Sequence, residues 1–151
     1  MPKKTKTWLT KKNIGKAARE LRWIFGRKAQ PVKELKAILL YLLDNYVSVC
    51  LEKGILTVET EDLVGNRSGN NLGAAQITID LKRACKDFLC FDSFLKVHSV
   101  QRPHSHFPND HVGYEGKSLC PGEGRYALKK ALREGRIDDF VDITKQILCT
   151  A

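Results

Sequence analysis

Apolar positions between residues 11 and 26 recur at helical spacing. At 100° per residue Ile14, Ala17, Ala18, Leu21, Ile24 and Phe25 gather on one side, and Lys11, Lys12, Lys16, Arg19, Arg22 and Arg27 fall on the other. Thr10 suits the cap of a helix beginning at Lys11, and Gly26 its stop. Trp23 departs from the pattern, because its angle places it among Lys12, Lys16 and Arg19 rather than with the apolar set. A second helix is expected from Pro31 to Gly54, populated by Val32, Leu35, Ile38, Leu39, Leu42, Leu43, Tyr46, Val47, Cys50 and Leu51, with Asp44 the only charge from residue 37 to 51. A helix apolar nearly all round is a central core helix, or one whose residues 37–51 also form a homodimer surface.

Alternation of period two follows. "ILTVETEDLV" (55–64) and "AQITIDLK" (75–82) read as strands, and "GNRSGNN" between them supplies turn residues for an antiparallel hairpin. A register centred near Ser68 or Gly69 puts Leu56, Val58, Ile77, Ile79 and Leu81 on the buried face, with Glu59, Asp80 and Lys82 on the other. A helix after the second strand is preferred over one helix spanning 72–90. Two short helices near 124–133 and 138–148, separated at Gly135, close the chain. The fold class is α+β: a mainly helical single domain over residues 11–151, with a small antiparallel β-hairpin packed on a long central helix, preceded by a flexible basic arm over residues 1–10.

Composition adds a strong charge asymmetry. The 151 residues carry a net +9, and residues 1–36 hold twelve Lys and Arg against only Glu20 and Glu34, a net +10, which leaves the remainder at −1. Such a distribution points to a polyanionic partner, and an aromatic ring among cations is the arrangement that stacks on bases while Lys and Arg meet phosphates. The expected function is therefore nucleic-acid binding, DNA or RNA, through Lys11, Lys12, Lys16, Arg19, Arg22, Trp23 and Arg27. No apolar run reaches the span of a bilayer, and the opening "MPKKTKTWLTKK" has no apolar signal core, so no membrane and a cytoplasmic or nuclear setting are expected. Five cysteines without a CxxC pair read as reduced thiols.

Two segments hold residues suited to catalysis. "RPHSHFPNDH" (102–111) contains His104, His106 and His111, and with Cys120 gives H-x-H-x4-H-x8-C, ligand types that zinc accepts. Without metal, His104 or His106 would act as general acid and base beside Arg102 and Lys117; the third alternative is a polar loop. "GKS" at 116–118 is not a phosphate-binding loop, because the glycine required five residues before Gly116 is His111. The second segment is the acidic hairpin. An apolar strand ending in "DLK" after an acidic "ETED" resembles the core of the PD-(D/E)XK nucleases, although no proline precedes Asp62 and the likeness covers about 30 residues. The resemblance implies that Asp80 and Lys82 form the (D/E)xK element, with Asp62 or Glu59 as upstream acid, holding magnesium for phosphodiester cleavage. A nuclease or phosphodiesterase, and an adaptor or inhibitor of an acidic protein surface, are thus the alternatives to a binding protein.

Overall fold

A computed structural model describes residues 8–26, 30–66, 69, 71–86, 94–99 and 124–149. The chain is α+β, with five helices among these residues and a four-stranded antiparallel sheet. In chain order they are α1 (Ile14–Phe25), α2 (Val32–Asn45), β1 (Ser48–Glu52), β2 (Ile55–Glu59), β3 (Leu63–Val64), β4 (Asn71–Gly73), β5 (Ala75–Asp80), α3 (Leu81–Lys86), β6 (Leu95–Ser99), α4 (Arg125–Arg133) and α5 (Ile137–Leu148).

The sheet runs β1-β2-β5-β6. Its register assembles two apolar rows across all four strands, Val49–Val58–Ile77–Val97 and Leu51–Leu56–Ile79–Leu95. Each of these eight side chains is buried, in one cluster with the apolar faces of the helices. The pairing of β2 with β5 puts Leu56 opposite Ile79 and Val58 opposite Ile77, as the alternation predicts. The hairpin is nevertheless not a small unit on its own. β2 and β5 are the two central strands, and β1 and β6 extend them on either side.

The missing strand came out of the predicted second helix, which ends at Asn45 rather than at Gly54. Tyr46 is already extended at φ −127° and ψ 159°, and "SVCLE" pairs with β2 from Ser48↔Glu59 to Glu52↔Ile55. β-Branched Val47 and Val49 favour the pleated conformation, and the two residues joining the strands, Lys53 and Gly54, both take positive φ (52° and 78°). That pair is the tight reversal whose twist matches a hairpin. The apolar residues that suggested a homodimer through 37–51 are mostly spent inside the chain: Ile38, Leu39, Leu42, Cys50 and Leu51 are buried, while Tyr41 and Val47 are exposed.

The first predicted strand also stops early. Thr60 donates its N–H to the Ala75 carbonyl at 2.9 Å, and its hydroxyl accepts the Ala75 N–H at 3.0 Å. A side chain thus takes a ladder position, and pairing resumes only in the short β3–β4 ladder. At the other end, residue 80 closes β5 and Leu81 opens α3, where Asp80 Oδ1 accepts the Arg83 N–H at 3.2 Å.

Helix α1 starts at Ile14 rather than Lys11, because the Asn13 side chain closes a turn over residues 10–13. Its Oδ1 accepts the Thr10 N–H at 2.8 Å and its Nδ2 donates to the Trp8 carbonyl. Trp8 and Leu9 are also tied to the sheet, Trp8 pairing with Cys50 and the Leu9 N–H donating to the Val49 carbonyl at 2.7 Å. The expected arm over 1–10 therefore does not extend through Trp8 and Leu9. Helix α2 joins α1 on one side and α5 on the other. The α2–α5 junction is held by Arg136, which reaches Glu34, Asp138 and Asp139 at 3.1–3.2 Å, and by Asp142, which accepts hydrogen bonds from both Tyr41 and Tyr46.

Candidate nucleic-acid interface

Helix α1 buries the stripe its sequence predicts. Ile14, Ala17, Ala18, Leu21 and Phe25 are buried and Ile24 is half-buried, so the opposite face has to point outward. Lys11 and Lys12 in the preceding turn and Lys16, Arg19 and Arg22 in the helix are all exposed. Among the described residues, each of these five cations stands without an ion-pair partner, whereas Arg136 pairs with three carboxylates. Arg27 lies outside the described residues.

Trp23 is 76 % exposed, in the middle of this face. A ring of that size is ordinarily covered, so its position off the apolar stripe had two outcomes: shelter under a neighbouring element, or display. The fold displays it. Its angular neighbours on α1 are Lys16 and Arg19, and Lys82 Nζ from α3 stands over the ring, 5.6 Å from its centroid.

Lys82 is brought there by the β1–β2 turn. The Lys82 stem lies along Gly54, so closely that a Cβ at position 54 would stand 3.0 Å from Cγ and Cε of the lysine. The Gly54 N–H donates to Glu20 Oε1 of α1 at 3.3 Å, and the Leu81 N–H donates to the Gly54 carbonyl at 2.9 Å. One glycine thus holds α1, the turn and α3 in register. On the other flank, Gly15 faces the Lys36 side chain of α2. The place a Cβ would take at Gly15 lies 3.8 Å from Arg19 Nη1 and 3.9 Å from Lys36 Nζ, so the two cationic heads flank one point and stand no more than about 8 Å apart. Beside α1 a cleft of about 210 Å³ carries Lys16 and Lys53 against Glu20 and Glu52. Charge inside that cleft is balanced, and the uncompensated positive field lies on the outer side of the helix.

The acidic hairpin residues are not gathered. Asp80 pairs with Ile55 and Glu59 with Gln76, so the two acids sit four residues apart along the ladder, about 13 Å at the rise of a strand. Asp62 lies farther along, where its Oδ2 accepts from Asn71 Nδ2 at 3.2 Å. Asp80 caps α3, and Lys82 is a helical residue turned toward Trp23. Among the described residues no group of three His, Cys, Asp or Glu side chains is placed to hold a metal ion. His104, His106, His111 and Cys120, with Arg102 and Lys117, lie outside the described residues.

Two neighbours of this surface were not singled out in the sequence. Lys36 entered only through the net charge of residues 1–36 and Lys53 not at all, and only the packing of α2 and of the β1–β2 turn against α1 brings them alongside. Lys82 was noted, but as half of a carboxylate–lysine pair. The basic face of α1 and the displaced angle of Trp23 were the local signals that pointed to this surface.

No family model matches the chain, and neither curated proteins nor solved structures give a significant match. Among the described residues no helix is long and apolar enough to cross a membrane.

Proposed function

We propose that this chain is a nucleic-acid-binding protein that holds a sugar-phosphate backbone against the cationic face of α1 and stacks a base on Trp23. The observation that carries the reading is the exposure of Trp23, 76 %, amid cations that lack ion-pair partners among the described residues. An exposed indole forgoes hydrophobic stabilisation, because α1 already buries Ile14, Ala17, Ala18, Leu21 and Phe25 on its other side, and stacking on a base recovers it on binding. The excess charge of the first 36 residues supplies the long-range attraction.

The test is oligonucleotide affinity measured across a range of salt. Lys12, Lys16 and Arg19 changed together to Gln should flatten the salt dependence by up to about three phosphate equivalents, at unchanged melting temperature. Trp23→Ala should weaken binding by about 1–3 kcal/mol while leaving the salt slope in place. Unaltered affinity and slope in the triple variant would remove the interface. Divalent-metal-dependent cleavage that disappears in Asp80→Asn would replace the binding reading with the nuclease one.

A further inference from the structure

Resting on that reading, we infer that the interface is a composite of three helices that takes single-stranded nucleic acid across α1, from Lys36 and Arg19 on one flank, over Trp23, to Lys82 on the other. The order follows from the contacts. Arg19 and Lys36 both stand close to Gly15 on the α2 side of the helix, Trp23 lies one helical turn beyond Arg19, and Lys82 reaches the ring from α3. These groups belong to α1, α2 and α3, so the track crosses the helix rather than following it.

Two physical points favour a single strand over a duplex. A base can lie on the Trp23 ring only when it is not already stacked between neighbours in a double helix, and stacking of this kind accepts any base because each has a π-face. Lys82 stands over one face of the ring, which leaves the other for the incoming base and adds a cation–π contribution to the stack. The second point is the convergence of Arg19 and Lys36. Among the described residues no carboxylate pairs with either, so two like charges within about 8 Å of each other raise the local positive potential, and one anion can lie between them. A phosphate between the two heads offsets that potential, and its neighbouring nucleotide reaches the ring one helical turn away.

The experiment uses the full chain in a Trp8→Phe background, so that Trp23 is the only fluorescent indole, with oligo(dT), oligo(U) and a blunt DNA duplex of equal length as probes. Single strands should quench Trp23 and bind at least about tenfold tighter than the duplex. Lys36→Gln and Lys82→Gln should each weaken single-strand binding roughly three- to tenfold at low salt and lower the salt slope by about one, while Lys130→Gln on α4 leaves both unchanged. Melting temperatures should match the parent throughout, since the altered side chains are exposed or keep their stems. Lys36→Gln and Lys82→Gln binding like the parent, while the α1 triple variant fails, would overturn the composite track and leave the α1 reading standing. Equal duplex binding, or equal quenching by heparin, which has no bases, would overturn the single-strand assignment. Absence of binding to every oligonucleotide would remove the proposed function itself.

Discussion

Beside the Arg136 ion pairs, the junction between α2 and α5 carries one carboxylate shared by two phenols, and removing a single hydroxyl should measure its contribution. Tyr46 is buried to 6 % exposure and donates to Asp142 Oδ1; Tyr41, 40 % exposed, donates to Oδ2 at 2.6 Å. A hydrogen bond to a charged acceptor contributes about 1.5–3 kcal/mol when shielded, and about 0.5 kcal/mol is a fair figure for the exposed partner. Tyr46→Phe keeps the ring and the Lys145 ammonium 5.6 Å from it, so only the bond is lost. For a domain of this size each kcal/mol is worth about 2–4 °C, and the expected drop is on the order of 5–10 °C, against about 1–2 °C for Tyr41→Phe. The assay is thermal and urea unfolding of Tyr46→Phe, Asp142→Asn and the double variant as a cycle. A coupling of about 1 kcal/mol or more is expected. The pH dependence has a definite sign. Hydrogen bonding to Asp142 pushes the Tyr41 phenol up to about 12, and burial first, then the same carboxylate, raises that of Tyr46. Both folded values lie above the unfolded one, so the stabilisation is whole below about pH 10 and is lost as pH rises toward the folded values. Tyr46→Phe should flatten that alkaline decline. A melting temperature within 1 °C of the parent, or an undiminished loss in the Asp142→Asn background, would refute the clamp.

Lys53 holds φ 52°, a region that costs a side chain with Cβ and favours Asn or Gly, so Lys53→Asn should stabilise the protein by about 0.5–1 kcal/mol in urea unfolding. Gly54→Ala should cost about 1–2 kcal/mol from its φ of 78° and displace the Lys82 stem, so Trp23 emission should shift alongside the lost stability. Arg136→Leu should cost about 1–2 kcal/mol, because Glu34, Asp138 and Asp139 lose a shared cation; a loss that does not shrink in high salt would contradict that origin.

Helix α1, the central hairpin register and the two closing helices were legible in the sequence because each is set by a local period. Ile14 to Phe25 repeat at 3.6, Leu56 to Ile79 alternate at 2, and Gly135 separates two amphipathic stretches. The end of α2 was not legible. "YVSVCL" is apolar enough to continue a helix and β-branched enough to start a strand, and the choice was made by β2, which offers it a paired edge through the Lys53–Gly54 turn. The same division runs through the interface. The excess charge and the outlying angle of Trp23 are properties of the chain, since they follow from composition and from 100° per residue. Whether the ring would be covered, and which distant cations would join it, depended on what α2, the turn and α3 pack against α1. Side-chain proximity across 17 residues from Arg19 to Lys36, or 59 from Trp23 to Lys82, exists only once the core has closed beneath them.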